Sequence, residues 1–131
     1  MENKVVVHLK DGRIHKGVTQ DFDPTGDTFY LLPAEGGGIP LKIALEDMKA
    51  MFYVRDYMGN RHFTASRRHP GDVQEARKVI LSFQDGEELW GTLESESEEG
   101  TGFFFYPTDR EDNNIRIFVI RSSLSGMQMV D

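Results

Sequence analysis

VVVHLKDGRIHKG, spanning Val5–Gly17, decides how the chain is read, because it returns as VILSFQDGEELWG at Val79–Gly91. Asp11-Gly12 recurs as Asp85-Gly86, Gly17 as Gly91, Gly26 as Gly100, Phe29 as Phe103 and Pro33 as Pro107. Each pair stands 74 positions apart (85 − 11, 107 − 33), so the front of the two copies aligns without a gap. The chain reads as one small β unit made twice.

Within the first copy, Val5, Val7 and Leu9 alternate with Val6, His8 and Lys10, the period of a half-buried strand. Asp-Gly between alternating runs is the strongest short hairpin signal, because glycine takes positive φ at no steric cost. The second strand is expected over about Arg13–Phe22, with Gly17 marking a bulge or bend. Asp23-Pro24-Thr25-Gly26-Asp27 is a turn. Strands follow at Thr28–Leu32, Ile39–Leu45 and Ala50–Val54, with a single helical turn at Glu46–Met48. The second copy repeats the plan, with its later strands at Phe103–Tyr106, Ile115–Ile120 and Met127–Val130. One feature breaks the match: the apolar residues Ile14 and Val18 align with Glu88 and Thr92, while Leu89 and Leu93 align with His15 and Thr19. A differing bulge, or a strand facing a different surface, is the expected cause.

The fold expected is therefore all-β: two tandem five-stranded small barrels, one over residues 1–57 and one over 78–131. A connector over 58–77 carries Arg61, Arg67 and Arg68 with His62 and His69, basic in an otherwise acidic chain. Asp72 with Glu75 three residues later suggests a short helix over Asp72–Arg77, just before the second unit.

Composition narrows the function. A net charge of −7 over 131 residues opposes general nucleic-acid binding, where a basic surface provides most of the affinity. The absence of cysteine excludes disulfides, zinc-thiolate sites and thiol nucleophiles. The N-terminal stretch does not read as a signal peptide and no run reaches the roughly 20 apolar residues of a membrane span, so a cytoplasmic location is expected.

LKDGRIHKGVTQDFDPTGDTFYL, over Leu9–Leu31, resembles the first motif of Sm and Sm-like proteins. That resemblance implies a five-stranded SH3-like barrel preceded by a helix, and brings RNA binding as an alternative function. Asp27 or Thr28 stands near the Asn of the Sm RNA pocket, and no Arg-Gly pair occurs in either fifth-strand region. GTGFFFYPTDREDNNIRIFVI, over Gly100–Ile120, together with the opening stretch, is similar to a family of small bacterial domains of unknown function. A weaker likeness to PilZ cyclic-dinucleotide sensors rests on Arg67 and Arg68 before the second unit and on Ser95 to Gly100. It lacks the second arm arginine and has Ser95 where Asp or Asn is required.

The side chains that invite a role are few. Asp21, Asp23, Thr25 and Gly26 imitate a calcium loop, but Leu32 stands where its bidentate Glu is needed, so a polar turn is the better reading. The acidic residues from Asp85 to Glu99 read as a solvated face. His8 and His15 read as solvent-facing strand residues. Trp90 is the only tryptophan, and Phe103–Phe105 cannot all face one core, so Phe104 must point away from its neighbours. Asn113 and Asn114 suit a tight turn, and Arg116 lies between two apolar neighbours. Trp90, Phe104, Asn113, Asn114 and Arg116 are the candidate interaction residues; Arg61, Arg67 and Arg68 form the candidate basic patch. No catalytic, cofactor or metal signature appears. The function expected is a non-catalytic protein-interaction or adaptor module with a protein partner. Its two units are expected to pack on each other, or to pair across a homo-oligomer such as a dimer, through Met51–Val54, a strand apolar on both faces, and the aromatic strands that carry Trp90 and Phe103–Phe105.

Overall fold

The computed structural model describes residues 3–34, 38–55, 57, 77–93, 100–108 and 114–130. Ten strands run in chain order: β1 (Asn3–Leu9), β2 (Ile14–Thr19), β3 (Thr28–Pro33), β4 (Leu41–Ala44), β5 (Met48–Val54), β6 (Arg77–Phe83), β7 (Glu88–Leu93), β8 (Gly102–Pro107), β9 (Asn114–Ile120) and β10 (Leu124–Val130). Single 3-10 turns at Leu45–Asp47 and Arg121–Ser123 precede β5 and β10. The helix expected before the second unit falls, but for Arg77, outside the described residues, and Arg77 itself opens β6.

The repeated stretch forms the same hairpin twice. Gly12 and Gly86 take φ of 95° and 96°, and no residue other than glycine has positive φ among the described residues. The turn is therefore not the two-residue form that Asp-Gly favours, which needs positive φ at both central positions. It is a three-residue loop closed by Gly12 N–H donating to Leu9 O (3.0 Å) and Leu9 N–H to Arg13 O (2.9 Å). Asp11 accepts from the Arg13 backbone N–H (3.0 Å), and Asp85 from that of Glu87 (3.0 Å).

Pairing registers recur as well. Val5 faces Gly17 and Gly17 faces Pro33, as Val79 faces Gly91 and Gly91 faces Pro107. Val5 pairs with Tyr53 and Val79 with Met129, so from the fourth strand onward the copies stand 76 apart (129 − 53). The extra two positions fall between β8 and β9. The shifted apolar phase of β2 and β7 has neither of the expected causes: both strands keep one register and nearly one burial pattern, with Gly17, Thr19, Gly91 and Leu93 turned inward. Ile14 simply faces water at 53% exposure, and Thr19 takes the buried place of Leu93.

Two closed barrels do not form. All ten strands join in one antiparallel sheet of order β10-β6-β7-β8-β9-β5-β1-β2-β3-β4, which is not closed. Each half follows the same order, fifth strand beside first, then second, third and fourth. β5 does not turn back on β4; it pairs with β9 of the other half, Met51 opposite Phe118 and Phe52 opposite Ile117. The reason lies in β5 itself. Met51 and Tyr53 enter one core while Ala50, Phe52 and Val54, on the opposite face, enter the other. A strand apolar on both faces must be covered on both, and a closed small barrel would leave one of them in water.

Each core accordingly borrows from the other half. Val5, Val7, Phe29 and Leu31 enclose Phe118 and Ile120 of β9. Val79, Leu81, Phe103 and Phe105 enclose Val6, Ala50 and Phe52. The two units do pack through Met51–Val54, within one chain, but the strand paired with it is β9 and not the expected Phe103–Phe105 strand, which lies one place further out.

Candidate functional site

The central joint uses two of the residues singled out by sequence. Arg116, opposite Tyr53 on the paired strand, places its guanidinium 4.3 Å from the Tyr53 ring centre and 4.4 Å from that of Phe104. A cation held between two aromatic faces is attracted by both quadrupoles. Burial raises the Tyr53 phenol above its ordinary pKa, while the adjacent Arg116 charge works the other way. Phe104 packs against the first core and meets Phe118 edge-on at 5.1 Å. Both residues thus help to fasten the two halves together.

A cleft of about 460 Å³ opens on the same joint, lined by His8, Lys10, Asp11, Lys49, Asp85 and Ser122 among others. Lys49, on β5, donates to Asp85 (2.6 Å) and Glu87 (2.6 Å) of the other half and lies 4.6 Å from the Phe83 ring centre. Burial works against the Lys49 ammonium, but these hydrogen bonds outweigh it and raise its pKa. The same lysine hydrogen bond, with the Glu87 backbone N–H, lowers the Asp85 carboxyl. Ser123 Oγ donates to the Lys49 carbonyl (2.9 Å), and Lys10 Nζ to Ser122 Oγ (2.5 Å). Sequence reasoning missed this cluster. The available signal was Lys49 itself, a lone cation among the apolar residues of its strand.

His8 is half-buried rather than solvent-facing, its ring 4.6 Å from that of Phe52. Burial, and then the nearby Lys49 charge, push its pKa below the ordinary 6.5. The folded state therefore binds fewer protons than the unfolded chain as pH falls below 6.5, and stability declines over that range until the folded-state pKa is passed. Melting curves from pH 7 to pH 5 should show this decline, and His8→Gln should flatten it. An identical slope in the variant would remove His8 as the cause.

The outer edges of the sheet are the other distinctive surfaces. β10 exposes Met127 (38%) and Met129 (47%), whereas Met51 and Tyr53, their counterparts 76 positions earlier on β5, are at 0% and 6%. At the far edge β4 shows Leu41, beside Ile39, Tyr30 and Leu32, all exposed. A shallow apolar hollow of about 400 Å³ lies there between Val18, Tyr30, Leu32 and Pro40.

The remaining expected positions are scattered. Trp90 is half-buried on β7, and its carbonyl accepts from Thr108 N–H (3.1 Å) and Oγ1 (2.9 Å). Asn114 opens β9, its backbone opposite Val54. Asn113 and the basic patch Arg61, Arg67 and Arg68 lie outside the described residues. In the calcium-like stretch Asp23 caps its own turn, accepting from Thr25 N–H (2.8 Å) and Oγ1 (2.7 Å), and Asp21 accepts from the Tyr30 backbone (3.1 Å). No group of three or more His, Asp or Glu side chains converges on a metal-sized site among the described residues. No helix of those residues is long and apolar enough to cross a membrane.

Among curated proteins and solved structures, no match to this chain is found. A family model does match, over residues 1–131, and by that match the chain belongs to DUF6982, a family of unknown function.

Proposed function

We propose that this protein is a non-catalytic protein-binding module, built from two tandem Sm-like strand units, that captures an extended partner segment on the open edges of its sheet. The observation that carries this reading is β10, a seven-residue strand that among the described residues is paired on one side only, with Met127 and Met129 exposed along it. Unpaired edge N–H and C=O groups are templates for an added strand, and apolar side chains beside them supply pockets for its alternate residues. Native edges are usually blunted by charge or proline. β4 follows that rule with Lys42, and with Pro40 just before it, whereas LSGMQMV of β10 contains neither.

Selection of displayed extended peptides on the immobilised protein tests the reading. Enriched sequences should alternate apolar residues, and Met127→Glu/Met129→Glu should weaken their binding at least tenfold. Enrichment of peptides indifferent to both edges would refute strand capture. The Sm-like alternative, RNA binding, is opposed by the net charge of −7. Mobility-shift titration with single-stranded RNA at physiological salt should show no submicromolar complex. Tight binding that weakens steeply with salt would favour RNA instead.

A further inference from the structure

Resting on the strand-capture reading, we infer that the partner of each edge is the opposite edge of a second copy, β10 of one chain pairing antiparallel with β4 of the next. The chain already contains one example of this joint. β5 and β9 pair inside the molecule, and the counterpart of β5 in the second half is β10, while the counterpart of β9 in the first half is β4. The two strands that pair at the centre are thus repeated at the two ends of the sheet, where among the described residues each is paired on one side only.

The internal register fixes the external one. Met51 opposite Phe118 becomes Met127 opposite Lys42 (51 to 127 and 118 to 42, each by 76), and Phe52 opposite Ile117 becomes Gln128 opposite Leu41. Burial differs as the missing neighbour requires. Ile117 is at 1% exposure and its counterpart Leu41 at 36%; Met51 is at 0% and its counterpart Met127 at 38%. Between Leu124 and Val130 β10 carries no charge, so Lys42 meets no like charge across the joint. The external joint is weaker than the internal one. β4 has four residues against seven in β9, and Pro40, without an N–H, replaces Arg116 and its double ring contact. Because β4 and β10 are different surfaces, the association is head-to-tail. It gives rings if the rotation closes and filaments if it does not, and it does not give a two-fold dimer through one strand type.

Two edge variants test this on the full chain: Met127→Glu/Met129→Glu, which spoils β10, and Leu41→Glu, which spoils β4. All the replaced residues are exposed, so the variants should keep the wild-type circular dichroism spectrum. By light scattering the wild type should grow in mass with concentration, and each variant alone should be a monomer. The two variants mixed should give a 1:1 dimer and nothing larger, since one edge of each remains intact. Since the chain has no cysteine, Met127→Cys mixed with Lys42→Cys should form an intermolecular disulfide under oxidation, and neither should link to itself. A monomeric wild type at every concentration without that disulfide, or one edge variant that still self-associates, would overturn the inference. Peptide selection on the edge-intact monomer would then still decide strand capture by other partners, so the two readings fail separately.

Discussion

Phe118→Ala is expected to cost about 3–5 kcal/mol, the range for removing a large buried aromatic ring. Phe118 belongs to the second half but is fully buried in the first core, where it meets Phe22 and Phe104 edge-on at 5.0 and 5.1 Å. Its loss opens a cavity walled by both halves, which neither half can collapse alone. Urea unfolding should shift to lower midpoint while remaining one transition by fluorescence and circular dichroism. The same sharing predicts that fragments 1–66 and 67–131, expressed separately, do not fold, because each leaves part of the other's core in water. Mixed together they should regain the sheet. Two fragments that fold independently, or a Phe118→Ala chain that melts in two separated steps, would contradict a shared core.

Gly91→Val should destabilise by about 2–4 kcal/mol, towards the upper end of what overpacking costs. A Cβ there would lie 2.0 Å from the Tyr106 carbonyl oxygen and 2.6 Å from Cζ of Phe105. Gly17 is in the same position, with the Leu32 carbonyl oxygen 2.1 Å from such a Cβ. The obstacle is backbone, so no rotamer change relieves it and β7 must move off β8. Neither glycine has positive φ, so close approach of the next strand is the reason for glycine here, not conformational freedom. Gly126→Ala is the control: nothing lies within 4 Å of its Cβ position, and the change should stay within about 0.5 kcal/mol. Equal melting temperatures for Gly91→Val and wild type would refute the close approach.

Local signals were sufficient for the elements. Alternation in Val5–Leu9, the Asp-Gly pairs, the glycines at 17 and 91 and the offset of 74 located the strands of each half to within about two residues at most ends. They did so because hairpin turns and strand faces are decided by residues a few positions apart. The two-faced apolar character of Met51–Val54 and the impossible alternation of Phe103–Phe105 also announced that the halves must cover each other. Which strand would cover β5 could not be read locally. Closure on β4 and pairing with β9 present the same edge hydrogen bonds to β5. The choice falls to long-range packing: Phe118 and Ile117 fill both faces of the joint, where Lys42 and Leu41 could not. The roles of Arg116, Phe104 and Lys49 were hidden for the same reason. Each is defined by groups on the opposite half, Tyr53 for Arg116, the first core for Phe104, Asp85 and Glu87 for Lys49, and those meet only when the ten strands form one sheet.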